Sequence, residues 1–181
     1  MSIKRLPLFV YGTLVPKHGF CNFINVLDGK VTLFPPDFPG GNDQTGYTVA
    51  RVNKWNIYHL AGFPGALPCP KEGEECGSGV VGALVWPNGI HDTTTDEYSK
   101  LILEADRLEK YNQGYPDEYR RIEVIAVISS TGETVSAWIY ECLLDVSSAH
   151  RVEDGNWPKY MKEHDLKDSG DDWSSKFHSS E

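Results

Sequence analysis

Glu109 is an acidic residue on the apolar face of the clearest predicted helix in this 181-residue chain. It follows Ile102 by seven residues, which is about two helical turns, so both side chains project from the same face. A lone carboxylate there costs several kcal/mol unless it is partnered, neutral or open to a cavity. Partial burial would raise its pKa toward neutrality, where a carboxyl group transfers protons best. In the alternative interpretation, the helix ends before Glu109 and the side chain reaches water.

The helix that carries Glu109 is predicted over residues 94–110 from a start signal and an apolar period. Thr94 and Glu97 form a capping box, with Thr95 as an alternative N-cap. Five apolar residues repeat at helical spacing and cluster within roughly 120° around the axis: Tyr98, Leu101, Ile102, Ala105 and Leu108. One side of the helix is therefore expected to pack on the core, with Asp106 beside the apolar stripe.

A second chemical feature is the segment Tyr11-Gly12-Thr13-Leu14, which follows a predicted apolar strand at residues 6–10. A strand that breaks at glycine brings consecutive backbone N–H groups to its end, where no side chain obstructs a ligand. Such a cluster of N–H groups can hold a carboxylate or a developing oxyanion. The alternative is an ordinary turn that closes the first strand.

Three short motifs, in order along the chain, resemble those of the gamma-glutamyl cyclotransferase superfamily. Tyr11-Gly12-Thr13-Leu14 resembles the turn after the first strand of that family. Asp106-x-x-Glu109, followed by Tyr119-Arg120 and a predicted hairpin, resembles its second signature, in which the glutamate is catalytic. The segment from Gly155 to Tyr160 resembles its G-x-W-x-x-Y element, so the resemblance covers about residues 6–160.

The chain also departs from the family pattern. Lys110 stands where the family usually has glycine, and the segment between Glu109 and Tyr119 is longer than usual. The loops at residues 34–47 and 68–79 look enlarged. These differences leave open which amine is released, among a peptide such as glutathione, a gamma-glutamyl amino acid, an isopeptide lysine fragment and a gamma-glutamyl-protected biosynthetic intermediate. They favour a bulky or specialised leaving group.

The reaction implied by the resemblance is intramolecular. The free α-amine of a gamma-glutamyl group attacks its own side-chain amide, closes the lactam 5-oxoproline and expels an amine. Because the substrate carries the nucleophile, the resemblance implies no catalytic Ser or Cys, no metal and no cofactor. In agreement, the sequence has no G-x-S-x-G, H-E-x-x-H, Walker or G-x-G-x-x-G motif. Glu109 is the expected general acid and base.

The substrate is expected to bind at the first two of these motifs, the Tyr11–Leu14 turn and the segment that carries Glu109. Backbone N–H groups of Gly12, Thr13 and Leu14 are suited to its carboxylate and oxyanion, and Tyr11 is expected to line the pocket. Tyr119 and Tyr140 are candidate donors of hydrogen bonds to the substrate, but core aromatics with hydrated hydroxyl groups are the more common role for such residues.

Two rival functions remain on sequence grounds. One is a non-catalytic small-molecule binding module on the same fold, which an assay for 5-oxoproline would separate from the enzyme. The other is a thiol hydrolase that uses Cys21 with His18, three residues apart on a short predicted helix. Insensitivity to alkylating reagents would exclude it.

Composition limits the kinds of partner that the chain is expected to bind. A net charge of −9 and a pI near 5.1 argue against a nucleic-acid surface, which needs clustered Lys and Arg. No apolar run reaches membrane-span length, and no leader is evident, so a cytoplasmic protein with a small-molecule gamma-glutamyl substrate is expected. All four cysteines are then expected to be thiols. Cys69 and Cys76 have no nearby second pair and do not read as a zinc site.

The remaining elements predict an α+β fold. Strand patterns occur at residues 49–60 and 80–86, and residues 122–128 and 134–142 read as an antiparallel hairpin. Together with the resemblance, they imply a small mixed, mostly antiparallel sheet, partly closed into a barrel and flanked by helices. A single domain is expected at residues 1–160, with a polar C-terminal tail at 161–181.

Overall fold

The computed structural model describes residues 4–12, 48–70, 76–85, 95–112, 114 and 116–166. These ranges contain ten helices and strands, in chain order: β1 (Leu8–Val10), β2 (Thr48–Val52), β3 (Trp55–Leu60), β4 (Phe63–Pro68), β5 (Val80–Val85), α1 (Thr95–Leu108), β6 (Tyr119–Ile128), β7 (Thr134–Cys142), β8 (His150–Arg151) and α2 (Trp157–Glu163). The short predicted helix with His18 and Cys21, the loop at 34–47 and the proposed N-cap Thr94 lie outside the described residues.

Five strands form a closed barrel in the order β1-β5-β2-β6-β7. The neighbouring strands pair antiparallel, except that β1 and β7 are parallel, with Leu8 opposite Trp138. This single parallel contact closes the barrel by bringing the first strand beside the second arm of the β6–β7 hairpin. The predicted mixed, mostly antiparallel and barrel-like α+β fold is confirmed.

A second sheet, in the order β4-β3-β8, was not predicted as such. The apolar run at residues 49–60 is two strands, because the chain turns at Lys54, whose φ is 58°. Phe63–Pro68 contains a Pro-Gly pair, which usually marks a turn, yet it is itself a strand. Among the described strands, β4 pairs only with β3, so it lies at the edge of this sheet, where proline is tolerated.

Side-chain alternation divides the core into two clusters. Phe9 and Tyr11 pack with the apolar residues of the barrel and the second sheet. Leu8 and Val10 point to the other face, where they pack in a cluster that includes Ala105 of helix α1. The first strand is therefore buried on both faces and connects the barrel to the helix.

Helix α2 packs through Trp157 and Met161, which are both buried. The side chain of Asn156 caps its first turn by accepting a hydrogen bond from the Lys159 backbone. On this helix Tyr160 contacts three histidines: His59 of β3, His150 of β8 and His164 at the helix C-cap. Nδ1 of His59 lies 3.3 Å from the Tyr160 hydroxyl oxygen. Trp157 also contacts the His59 ring, so the helix is joined to the second sheet by aromatic side chains.

The turn before α2 lies directly on the barrel. Gly155 has a φ of 68°, and a Cβ atom there would lie 1.7 Å from the carbonyl oxygen of Gly79. Its own carbonyl accepts a 2.8 Å hydrogen bond from the Val81 backbone of β5. Both the backbone conformation and the close approach therefore require glycine at the start of the G-x-W-x-x-Y segment.

The prediction that all cysteines are thiols is wrong for Cys69 and Cys76, which are joined in a disulfide with Cα atoms 5.6 Å apart. The spacing of the two cysteines did not indicate this bond. They are brought together by contacts of the chain on both sides with the β2–β3 turn and the start of β3. The Cys69 backbone donates to the Lys54 carbonyl, and the backbone of Gly77 donates to Asn56 Oδ1. Cys142 is a buried free thiol.

Among the described residues, neither helix is long and apolar enough to cross a membrane.

Candidate active site at the end of helix α1

Helix α1 ends in a hydrogen-bonded cap immediately around Glu109. The backbone of Tyr111 donates to the Asp106 carbonyl at 2.8 Å, and that of Lys110 donates to the Arg107 carbonyl at 3.2 Å. This pair of bonds defines a Schellman cap, whose C′ residue adopts the left-handed conformation. Lys110 occupies that position with a φ of 52°. A glycine-favouring conformation is therefore present here although the residue is lysine.

The Glu109 side chain is partly buried at this helix end. Its backbone still donates to the Ala105 carbonyl at 3.0 Å, which continues the helical pattern one residue beyond Leu108. Removal from water raises the pKa of Glu109 to about 7, and the nearby Glu118 carboxylate contributes to the increase. The helix ends before Glu109, as the alternative interpretation expected, but the carboxyl group is not fully hydrated.

Asp106 ties the last turns of the helix to the barrel. Its carboxylate accepts a 2.7 Å hydrogen bond from the Tyr140 hydroxyl of β7 and lies 3.1 Å from Nη1 of Arg121 on β6. The Arg121 guanidinium contacts the rings of Tyr111 and Trp138, with centroids at 5.9 and 5.3 Å. Burial raises the pKa of Asp106, while Tyr140 and Arg121 oppose that change. Asp106 is thus a buried structural anchor three residues before Glu109.

Tyr11 extends beyond β1 into the same region. Its hydroxyl donates a 2.7 Å hydrogen bond to the Tyr140 carbonyl and accepts a longer one, 3.4 Å, from the Ala66 backbone. Burial raises the pKa of Tyr11 well above its usual range, and the negative charge of Glu109 is the next largest cause. Tyr11 of the first motif therefore lies close enough to Glu109 of the second motif for the Glu109 charge to act on it.

Tyr119 and Gly12 meet at Pro64 of β4. The Tyr119 hydroxyl donates a 2.9 Å hydrogen bond to the Pro64 carbonyl. A Cβ atom on Gly12 would lie 2.5 Å from Cγ of the same proline, although the φ of Gly12 is not in the left-handed region. Glycine is thus required here for close packing within the chain, whereas the sequence suggested close approach of a ligand.

The structure brings four of the predicted site residues together: Glu109, Tyr11, Tyr119 and Tyr140. Burial is the main cause of the raised pKa of Tyr119 and of Tyr140, and Glu109 contributes to both. Gly12 lies at the edge of this group through Pro64. Thr13 and Leu14 lie outside the described residues.

Sequence reasoning missed the residues that support this group. Asp106 appeared only as a neighbour of the apolar stripe, and nothing in the pattern indicated Arg121 or Cys142. Cys142 lies beside Gly65, where a Cβ atom would approach its sulfur to 2.9 Å. Burial raises the pKa of the Cys142 thiol, followed by a contribution from Glu109 among nearby acids. Within the described part of the chain, no group of three or more His, Cys, Asp and Glu residues is arranged to hold a metal ion.

Known proteins resemble this chain both in sequence and in structure. A family model described as "Gamma-glutamyl cyclotransferase, AIG2-like" matches residues 8–159. A solution structure of an Arabidopsis thaliana protein is 17% identical over 98% of this chain and 82% of that chain, with a TM-score of 0.51. The crystal structure of an AIG2-like protein from Mus musculus is 15% identical over 81% of this chain and 82% of that one, with a TM-score of 0.48. No curated protein matches the chain.

Proposed function

The chain belongs to the gamma-glutamyl cyclotransferase, AIG2-like family, and we propose that it releases 5-oxoproline from a gamma-glutamyl amide. The α-amine nitrogen of the substrate attacks the side-chain amide carbon. The new C–N bond closes the five-membered lactam, and the original amide C–N bond breaks to release an amine. Because the nucleophile belongs to the substrate, the protein needs only to hold the glutamyl chain curled and to move protons.

Glu109 is the proposed proton carrier. The substrate α-amine arrives mainly as ammonium and must lose a proton before it can attack. The nitrogen that departs must gain a proton, so one carboxyl group that accepts and then returns it serves both steps. With a pKa of about 7, Glu109 is present in both protonation states near neutral pH.

The observation that carries the proposal is the placement of Glu109. It lies at the capped end of α1, withdrawn from water, and its charge acts on Tyr11 at the end of β1. Within the described residues, no hydrogen bond to the Glu109 carboxylate is present. A purely structural carboxylate at this depth would be expected to have a partner, as Asp106 does.

The tyrosines suggest how the substrate is oriented. The hydroxyl groups of Tyr11, Tyr119 and Tyr140 each donate their hydrogen to a protein oxygen. Among the described residues, the hydroxyl oxygens of Tyr119 and Tyr140 are left as acceptors, whereas that of Tyr11 already accepts the longer hydrogen bond from the Ala66 backbone. A hydroxyl oxygen that is left as an acceptor suits the substrate ammonium better than its carboxylate. In this proposal the carboxylate and the developing oxyanion bind the backbone N–H groups of Gly12, Thr13 and Leu14.

The test is release of 5-oxoproline from a panel of gamma-glutamyl amides with peptide, amino-acid, isopeptide-lysine and small-amine leaving groups. We expect turnover of at least one class by the native chain and a loss of roughly 100-fold or more in Glu109→Gln. Glu123→Gln, which changes an exposed carboxylate paired with Lys4 on the barrel surface, is the matched control.

Two results would contradict the proposal. Equal turnover by native chain and Glu109→Gln would remove this residue from the mechanism. Saturable binding of the amides with no 5-oxoproline formed would instead identify a non-catalytic binding module.

A further inference from the structure

Arg121 of β6 contacts the segment that carries Glu109 on both sides of that residue. Before Glu109, the Asp106 carboxylate lies 3.1 Å from Nη1 of Arg121. After it, the Tyr111 ring lies against the same guanidinium, with 5.9 Å between its centroid and Cζ, which is within cation–π range. Only 13% of the Arg121 side chain is exposed, so both contacts are largely shielded from water. Residues 106–111 are therefore attached to β6 at both ends by one side chain.

A backbone hydrogen bond joins these two ends to each other. The Tyr111 backbone donates to the Asp106 carbonyl at 2.8 Å. Asp106, Tyr111 and Arg121 thus form a closed ring of three contacts: an ion pair, a cation–π contact and a backbone hydrogen bond. Glu109 lies within the segment that this ring encloses, so its backbone cannot move far without breaking one of the three contacts.

The barrel side of the ring is held in place by β7. Arg121 lies opposite Tyr140 in the β6–β7 pairing, and the Tyr140 hydroxyl donates a 2.7 Å hydrogen bond to the same Asp106 carboxylate. The Trp138 ring of β7 also contacts the Arg121 guanidinium, with 5.3 Å between its centroid and Cζ. The guanidinium is therefore held by the barrel as well as by the end of the helix.

The Glu109 carboxyl group depends on its backbone for its position. Within the described residues it accepts no hydrogen bond, and helix α1 ends at Leu108, one residue before it. Helix ends open easily, because their last carbonyl groups have no partner within the helix. A proton carrier must stay within hydrogen-bond reach of its substrate, and a displacement of about 1 Å can cost roughly 100-fold in rate.

We propose that Arg121 is a positioning residue for Glu109, which it keeps in place for proton transfer by fixing Asp106 and Tyr111 to the barrel. The catalytic meaning of this inference rests on the proposed function, but the effect on the end of the helix can be measured without it. Lysine would keep the charge beside Asp106 but lacks the planar group that packs on an aromatic ring.

The experiment measures backbone amide hydrogen exchange in the full chain by NMR, alongside kcat and KM for release of 5-oxoproline. In Arg121→Met, the helix-end amides of Glu109 and Tyr111 should exchange faster by roughly 10-fold or more after correction for global stability. The Val152 amide, which is bonded to the Ile57 carbonyl in the second sheet, should not change. We expect kcat to fall by roughly 10-fold or more and KM to change by less than about threefold, because Glu109 is assigned to proton transfer and not to binding.

Arg120→Met is the matched control. Arg120 is the preceding residue of β6, and it projects to the opposite face, where it pairs with Glu141 at 2.6 Å. This variant also loses one guanidinium and one ion pair, but after the same correction it should leave the exchange of the helix-end amides and kcat in place. Arg121→Lys keeps a charge beside the buried Asp106 carboxylate, so it tests the inference even if Arg121→Met does not fold. It should show the same changes to a smaller extent.

Tyr111→Leu tests the closed ring itself. It removes the aromatic contact and should also speed exchange of the Glu109 amide. If the three contacts act as a unit, the Tyr111→Leu and Arg121→Met double variant should exchange more slowly than the product of the two single effects predicts. Fully multiplicative effects would overturn the ring.

Unchanged exchange of the helix-end amides in both Arg121→Met and Arg121→Lys would overturn the inference, as would an equal change in Arg120→Met or at the Val152 amide. Faster exchange with an unchanged kcat would overturn the positioning role. Faster exchange in a protein whose native chain forms no 5-oxoproline would reject the proposed function alone. Turnover by the native chain with no change in exchange would reject only this inference.

Discussion

The Tyr140 hydroxyl donates a 2.7 Å hydrogen bond to the Asp106 carboxylate, which joins β7 to α1 three residues before Glu109. The carbonyl of the same tyrosine accepts the hydroxyl of Tyr11. One residue thus connects the end of the first strand to the helix that carries the candidate acid–base group.

Tyr140→Phe should therefore reduce stability by about 1.5–3 kcal/mol, because it removes a buried hydrogen bond to a charged group. Arg121 remains as a partner of Asp106, so the chain should still fold. Urea unfolding monitored by tryptophan fluorescence gives the value. Tyr58→Phe, in the second sheet, is the control and should change stability by less than about 0.5 kcal/mol. Equal stability of Tyr140→Phe and the native chain would show that this bond does not anchor the helix.

Glu109→Gln should become more stable than the native chain as pH rises. The pKa of Glu109 moves from 4.5 to about 7 on folding, so its favourable contribution is complete below pH 4.5 and is lost as pH rises through 7. The amide does not titrate, and its advantage at pH 8 should approach about 3 kcal/mol at most, less for partial exposure. Unfolding by urea at several pH values measures it.

Glu123→Gln provides a control of opposite sign. Pairing with Lys4 lowers the pKa of Glu123, so that carboxylate contributes stability above its unfolded pKa and loses it as pH falls. Its replacement should be mildly destabilising at neutral pH. If the stability difference between Glu109→Gln and the native chain did not grow from acidic to alkaline pH, burial of the Glu109 charge would be contradicted.

Lys110→Gly should stabilise the chain by about 0.5–1.5 kcal/mol, since glycine adopts the left-handed conformation without a Cβ penalty. Loss of the exposed pair with Glu118 subtracts a few tenths of a kcal/mol from the gain. Lys110→Ala loses the same pair but keeps the backbone penalty, so it should be less stable than the glycine variant. Thermal unfolding of both distinguishes them, and equal midpoints would show that the cap is not strained.

The contacts of helix α2 should weaken in acid. Burial lowers the pKa of His59, and the charges of His150 and His164 lower it further. The folded chain therefore binds fewer protons at His59 than the unfolded chain. This contribution to stability is lost as pH falls through the unfolded value of 6.5 toward the lower folded value.

The measurement follows the ring NMR signals of His59 as pH changes. It also compares the free energy of unfolding at pH values on both sides of this range. His59→Gln should reduce the loss of stability between about pH 7.5 and pH 5.5. An identical loss in native chain and variant would place the acid sensitivity elsewhere.

Periodicity predicted helix α1 well, because its packing face is set by local spacing. Tyr98, Ile102 and Ala105 of the predicted apolar stripe are all buried. Glu109 follows Ile102 by seven residues, but the helix ends at Leu108, so the direction of the Glu109 side chain stays a prediction. Its degree of burial did not follow from the pattern, since that depends on where the chain turns after Leu108 and on what β6 and β7 place beside it.

The second sheet shows why other elements escaped prediction. Pro64 and Gly65 signal a turn locally, but pairing with β3 overrides that preference in an edge strand. Strand β8 has only two residues, too few to form an alternating pattern. The partnership of Asp106 with Arg121 and Tyr140 is likewise long-range, and no residue spacing encodes it.

The position of β1 between β5 and β7 also constrains the order in which the chain can mature. Leu8 of β1 is synthesised well before its parallel neighbour Trp138 of β7, because the two residues are far apart in the sequence. Until then the barrel has an open seam, and the strand that carries Tyr11 lacks one of its two neighbours. Pairing over such long sequence separations slows folding. Glu109, the candidate acid–base group, and the first strand therefore reach their shared environment only after β7 has formed, which ties assembly of the candidate site to closure of the barrel.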